Sequence, residues 1–273
     1  MNTSKNSYVI IYMIVIVVIV SLLLSITSGV LHSRQADNVR LDTKKQILMS
    51  LSTFGNDQEN KIYTDDDAAA SYEKFVVGYQ MLDVEGNVVD TLRPVEDFDV
   101  KADEGKYPLY IAEVDGATKY IIPLKGAGLW GAIRAYLALD EDRNTIYGVY
   151  FGHDGETPGL GANIVLPRFR AQFVGKHILR DGVFASIAVE KKGNTAEGKD
   201  QVDAVSGGTI TSKGVEAMFL SSLSNYAKWL TAPAIIKEGA ADASLNAILS
   251  DMAVGDSAAV ETTDVELNEG GNK

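Results

Sequence analysis

The sequence predicts an α+β fold: an antiparallel sheet with flanking helices, preceded by one transmembrane helix. Three observations carry that expectation. Residues 6 to 31 contain no charged side chain, and Tyr8 to Leu24 (YVIIYMIVIVVIVSLLL) is almost wholly apolar. Between about Ser71 and Leu230, strand-like runs follow one another with few helices between them, which argues against alternating β-α units. Glycine-rich segments recur directly after such runs, the last of them at the head of a long helical pattern.

A membrane-spanning helix needs about 20 apolar residues, and the amino-terminal run supplies them. Its β-branched composition weakens helix propensity in water but matters little in lipid, where an unsatisfied backbone costs far more. A cleaved leader is the rival reading, with Ser25 to Gly29 as the small-residue opening for it. Against that reading, the apolar core exceeds a leader's length and no A-x-A site follows closely. Charge does not settle orientation: Lys5 precedes the span, whereas Arg34, Arg40, Lys44 and Lys45 follow it, diluted by Asp37 and Asp42.

The segments divide into an anchor over residues 1–31, a helical and polar connector over 32–67, a folded domain over 68–231 and an acidic, disordered tail over 232–273. In the connector, Val39, Ile47, Leu48 and Leu51 are spaced to share a helical face. Asp65, Asp66 and Asp67 lack the spaced ligands of a calcium loop and read as a cap or a solvated turn. In the domain, Phe75 to Leu82 reads as a strand ending at Glu85-Gly86-Asn87. Tyr107 to Val114 and Ala117 to Leu124 flank Asp115-Gly116, a type I′ hairpin signal. Ile133 to Leu139 and Thr145 to Phe151 flank the polar turn DEDRN and form a second hairpin. Phe184 to Val189 reads as a further strand, before a turn at Lys191 to Asn194. Arg168 to Val174 and Ser212 to Leu230 read as helices.

Composition narrows the function. The chain has 273 residues, a formal net charge of −12 and no cysteine. An acidic chain without a basic stripe is a poor nucleic-acid ligand. Without cysteine there is no disulfide, thiol catalysis or cluster ligation by this chain alone. His32, His153 and His177 show no metal-ligand spacing. No Gly-x-Gly-x-x-Gly follows a strand with a downstream acid, so no nicotinamide motif is visible. Any redox role therefore requires a borrowed organic cofactor.

Three glycine-rich stretches stand out. In Lys125 to Ile133 (KGAGLWGAI), Leu129 and Trp130 stand between glycines, where an indole can pack against an aromatic ligand or simply join the core. In Gly152 to Asn163 (GHDGETPGLGAN), Pro158 and the glycines fix a tight loop that places Glu156 and Thr157 for hydrogen bonding, with Leu160 beside them. The alternative for this loop and its His153 is an ordered structural turn. In Asp203 to Gly214 (DAVSGGTITSKG), Ser206-Gly207-Gly208-Thr209 precedes a helix expected to start at Thr211 or Ser212. A helix amino terminus attracts phosphate, and Lys213 adds a cation. A plain turn with a Ser or Thr cap is the alternative here.

Taken together, GLWG, GETPGLG and the Asp-x-x-Ser-Gly-x-Thr run, in this order behind a single amino-terminal span, resemble the FMN-binding domain of the C subunit of the sodium-translocating NADH:quinone oxidoreductases. The G subunit of the ferredoxin:NAD ion-translocating complex shares the ETPGLG loop and the last motif and is the alternative. A membrane-tethered binding or scaffold protein is the non-redox alternative. The resemblance implies one FMN joined through its phosphate to Thr209 by a flavin transferase, within a motif formed by Asp203, Ser206, Gly207, Gly208 and Thr209. Gly208 stands where the family usually has Ala. Thr211 is the rival acceptor. Glu156 and Thr157 would hydrogen-bond the ring or the ribityl chain, while Leu129, Trp130 and Leu160 would exclude water. The resemblance further implies other subunits of a membrane complex as partners. It places the chain in the bacterial inner membrane as a single-pass protein, with a cytoplasmic amino terminus and the flavin domain outside.

Overall fold

The computed structural model describes residues 6–55, 58–64, 67–92 and 105–232. The acidic tail expected after Ala232, and Asp65 and Asp66, lie outside the described residues.

Helix α1 (Asn6–Ser50) runs unbroken for 45 residues, about 68 Å at 1.5 Å per residue. Its segment Tyr8–His32 is long and apolar enough to cross a membrane, and none of it is buried inside the protein. The helical part of the connector continues α1 without a break, as neither Gly nor Pro occurs between Val30 and Ser50. Burial starts only near Thr43. Ile47, Leu48 and Leu51 are fully buried as expected, but Val39 is 64% exposed. Val39 stands more than two turns closer to the apolar span, before the helix meets the domain.

Strands β1 (Thr53–Gly55) and β2 (Gln58–Asn60) form a small antiparallel pair. Helix α2 (Ala68–Phe75) follows, with Asp67 as its N-cap. The Asp67 carboxylate accepts hydrogen bonds from Thr64 and Ser71. The main sheet contains β3 (Val76–Leu82), β4 (Val88–Leu92), β5 (Tyr107–Val114), β6 (Ala117–Ala127), β7 (Ala132–Leu139) and β8 (Ile146–His153). Its order is β4-β3-β5-β6-β7-β8, and every pairing is antiparallel. The β5–β6 turn has φ of 52° at Asp115 and 79° at Gly116, the two left-handed residues of a type I′ turn. In the β7–β8 turn the Asp142 carboxylate accepts the backbone N–H groups of Asn144 and Thr145 at 2.9 and 2.8 Å.

Alternation along these strands gives the sheet two apolar faces. Leu109, Ile122 and Leu137 face one side, where they join Phe151, Phe169, Phe173 and Phe219. Tyr110, Ile121 and Ala138 face the other, with Ile47, Leu48 and Tyr72. The base of α1 thus covers one face, and the carboxy-terminal helices cover the opposite one.

After β8 the chain makes a 3-10 turn (Gly161–Val165), α3 (Pro167–Arg170) and a second 3-10 turn (Ala171–Phe173). Only the first half of the helix expected over Arg168 to Val174 is therefore α-helical. The pair β9 (Leu179–Arg180) and β10 (Val183–Phe184) comes next, followed by β11 (Ala188–Glu190) and β12 (Gln201–Asp203), which pair in parallel. The single strand expected over Phe184 to Val189 is interrupted. Ser186 takes a φ of 62°, and the N–H groups of Ala185 and Ser186 both donate to Ile178 O at 2.9 and 3.0 Å. The helix expected over Ser212 to Leu230 divides into α4 (Thr209–Ser224) and α5 (Ala227–Thr231). The break lies at Tyr226, whose buried hydroxyl donates to Pro108 O at 2.7 Å.

Candidate functional site

The three glycine-rich stretches converge at the amino terminus of α4. Helix α4 begins at Thr209, with Gly208 as its N-cap and no side-chain cap, so it starts earlier than the sequence suggests. Ser212, expected at or next to the helix start, lies inside the helix, where its hydroxyl accepts the Val205 N–H at 3.0 Å. This bond and the Gly208 N–H to Val205 O bond at 3.0 Å hold the preceding turn closed. Gly207 has a φ of 73°, a conformation open to glycine. A Cβ there would also meet Leu160 Cδ2 at 2.6 Å. The first-turn N–H groups point outward with the positive end of the helix dipole.

The two threonines of this turn face differently. Thr209 is exposed, whereas Thr211 is 1% exposed. The Thr211 hydroxyl donates to Glu156 Oε2 at 2.5 Å. The other carboxylate oxygen, Oε1, accepts the Trp130 N–H at 2.8 Å. Glu156 is itself 4% exposed. Burial pushes its pKa up, but the hydrogen bonds from Thr211, Trp130 N and Leu129 N outweigh that and hold it below the ordinary carboxylate value. One carboxylate therefore ties all three stretches together. Gly128 and Gly161 press against it so closely that a Cβ at either position would collide with its oxygens. Glu156, expected to hydrogen-bond a ligand, has both oxygens engaged by the protein. His153 Nδ1 accepts the Glu156 N–H at 3.3 Å, which makes it part of the turn.

Asp203, Ser206, Gly207 and Leu160 line a cavity of about 480 Å³, together with Gly159, Asn163, Arg168 and Gln172. Gln172 Oε1 accepts the Asp203 N–H at 2.8 Å. Leu129, Trp130 and Leu160 are 47%, 69% and 44% exposed, so Trp130 is not a core residue. Thr157 is exposed, and its carbonyl accepts the Leu160 and Ala162 N–H groups that close the Pro-Gly turn. The site also departs from expectation at Lys213. Its ammonium is 2.8 Å from Glu190 and 2.7 Å from Glu216, so two carboxylates already neutralise it. Those bonds, Glu190 first, raise its pKa. Sequence reasoning missed Arg168, Asn163 and Gln172. Arg168 and Gln172 lie outside the glycine-rich loops and Asn163 at the very end of one, and only the packing of α3 brings this segment to the cavity.

The arrangement suits a phosphorylated planar ligand. It offers an exposed hydroxyl, unpaired helix N–H groups, a glycine turn admitting close approach, a polar cavity and exposed apolar side chains. Residues 128–224 match the model of the FMN-binding domain family. The chain is 43% identical over 105 residues to the C subunit of the Na(+)-translocating NADH-quinone reductase of Vibrio anguillarum, which covers 38% of this chain and 41% of that one. The match thus spans about two fifths of that relative's length. The C subunit of the same reductase from Chlamydia muridarum is 27% identical over 299 residues, covering 82% of this chain and 91% of that one. The crystal structure of the C subunit from Parabacteroides distasonis superposes with a TM-score of 0.67 at 43% identity, covering 74% of this chain and 98% of that chain. The agreement in fold with that structure, at this identity and over nearly its whole length, places the chain in the family of the Na(+)-translocating NADH-quinone reductase C subunits.

Proposed function

We propose that this chain is a membrane-anchored electron carrier that holds one FMN through a phosphoester to Thr209. Its place is in a complex that oxidises NADH, reduces quinone and moves sodium ions. The observation that carries the reading is the contrast at the head of α4. Thr209 is exposed beside unpaired helix N–H groups, while its neighbour Thr211 is buried and bonded to Glu156. Of the two threonine hydroxyls in the first turn of α4, only that of Thr209 is open to an incoming phosphoryl group.

FMN supplies redox chemistry that a chain without cysteine cannot supply from its own side chains. The residues bind and orient it. The first-turn N–H groups of α4 and the helix dipole stabilise the phosphodiester charge. Gly207 and Gly208 let the backbone approach it, and Ser206 and Thr157 offer hydroxyls. Asp203 accepts from ribityl hydroxyls. Leu129, Trp130 and Leu160 shield the ring from water. Glu156 and Thr211 hold the loops in place beneath it. Helix α1 anchors the chain as a single pass through the lipid bilayer of the bacterial inner membrane, with the domain outside the cytoplasm. Other subunits of the complex exchange the electrons and carry the ion, because one apolar helix cannot form an ion path alone. A flavin transferase installs the FMN.

The test is in-gel fluorescence. The full chain, co-expressed with a flavin transferase and denatured, gives a yellow-green band under ultraviolet light. A dark band defeats the flavoprotein reading and favours a tethered scaffold. Orientation is tested separately by adding protease to intact spheroplasts: the domain is digested, and its protection contradicts the proposed topology.

A further inference from the structure

We infer that Arg168 forms a phosphate subsite in the cavity beside the Ser206–Gly207 turn, and that it selects phosphorylated over unphosphorylated flavin. This rests on the flavin reading above and adds to it a residue outside the three glycine-rich stretches.

The argument starts from α3. Phe169 and Arg170 are buried, at 3% and 1% exposure. The Arg170 guanidinium donates to Val149 O and Met49 O, each at 2.7 Å, and pairs with Glu59 at 2.9 Å. Phe169 packs against Phe151 and Phe173 in the core. Two clamped residues therefore fix the backbone of this four-residue helix. The preceding residue, Arg168, is exposed and lines the cavity. Its carbonyl accepts a hydrogen bond from Gln172, but its guanidinium makes no ion pair among the described residues. Among those residues it is the one cationic side chain lining the cavity.

Of the lysines paired at α4, Lys213 is held by Glu190 and Glu216, and Lys199 pairs with Glu216 at 3.8 Å. An anion on the α4 turn thus finds its free positive charge in Arg168. Gly207, on the cavity wall, is two residues from Thr209, so a phosphate on that hydroxyl lies within about 7 Å of chain from the wall. The cavity also holds a carboxylate, Asp203, which repels a bare anion. A polyol phosphate satisfies both groups: its phosphate pairs with guanidinium, and its hydroxyls donate to Asp203.

The experiment uses the full chain, solubilised in detergent and purified from cells without the transferase. FMN and riboflavin are titrated against wild type, Arg168→Gln and Arg168→Lys, and binding is read from flavin fluorescence. Because Arg168 is exposed and its side chain has no bonding partner among the described residues, the variants should melt with the wild type, and a thermal scan checks that. Wild type is expected to bind FMN about tenfold or more tightly than riboflavin, as a hydrogen bond to a charged group implies. Arg168→Gln should lower that ratio about tenfold by weakening FMN alone, with part of it kept by Arg168→Lys. A ratio unchanged in Arg168→Gln overturns the subsite, as does a wild type that binds neither flavin or both equally. The carrier reading is judged independently by the fluorescent band of the co-expressed wild-type chain. A bright band with an unchanged ratio rejects Arg168 and keeps the carrier; a dark band rejects the carrier itself.

Discussion

Thr209 and Thr211 stand two residues apart at the head of α4 and belong to regions built on opposite principles. Around Thr211 every polar group near the Glu156 carboxylate is matched, and glycines are packed against its oxygens. Around Thr209 the first-turn donors are uncapped and the hydroxyl is exposed. A buried, fully bonded network is rigid because breaking any member strands the others. An uncapped helix start retains its capacity to bind an anion. The difference teaches that the loops' one buried carboxylate secures the frame, and that this frees the adjacent turn for chemistry.

The largest effect should come from exchanging the two threonines' fates. Thr209→Val is expected to abolish in-gel flavin fluorescence while the fold survives, since an exposed hydroxyl makes no structural contact. Thr211→Val should keep the band but cost about 1–2 kcal/mol by leaving a carboxylate oxygen unpaired, measured by urea unfolding. If Thr211→Val removes the band and Thr209→Val does not, the assignment of the acceptor is wrong.

Next in size is the network itself. Glu156→Ala strands the Thr211 hydroxyl and the Trp130 N–H and should destabilise the domain by about 2 kcal/mol. Glu156→Gln, which retains an acceptor, should cost less and report on charge. The folded-state pKa of Glu156 lies below its ordinary value of 4.5. A depressed carboxylate stabilises the fold fully above the unfolded value and loses that contribution as pH falls through the folded one. Wild-type stability should therefore drop below about pH 4.5, and the Gln variant should lose that part of the drop. Parallel pH profiles for the two proteins would show that the Glu156 charge is not what the network holds.

These sites also show what a sequence can and cannot reveal. The two hairpins and the two-faced sheet were legible because turn chemistry and strand alternation are local. The glycine stretches were legible as one site only through the family resemblance. The fates of Glu156 and Thr211 were not, since they are each other's partners 55 residues apart, and Lys213 takes one of its two carboxylates, Glu190, from 23 residues away. Arg168 was invisible for the same reason: an arginine after a proline reads as a solvated surface residue until α3 docks. The unexpected left-handed Ser186 and the early start of α4 reflect tertiary hydrogen bonds that override propensity.

The smallest expected effect concerns Gly208, the one position of the motif where the family resemblance implies Ala instead. Gly208 has a φ of −113° and a ψ of 38°, so the backbone does not demand glycine. An added Cβ would lie 3.1 Å from Val205 Cγ1 and 3.2 Å from Gly161 Cα, a tight contact that a few tenths of an ångström of movement relieves. Alanine also removes conformational freedom from the unfolded chain, worth about 0.4–1 kcal/mol, but it sits at a helix N-cap that favours glycine over alanine. These terms oppose one another, so Gly208→Ala should change unfolding free energy by less than about 1 kcal/mol and leave flavin labelling complete. At Gly207 the same substitution meets both a φ of 73° and Leu160 and should be much costlier. A Gly208→Ala variant that loses flavin while remaining folded would show that approach to the phosphate, rather than backbone strain, sets the need for glycine in this turn.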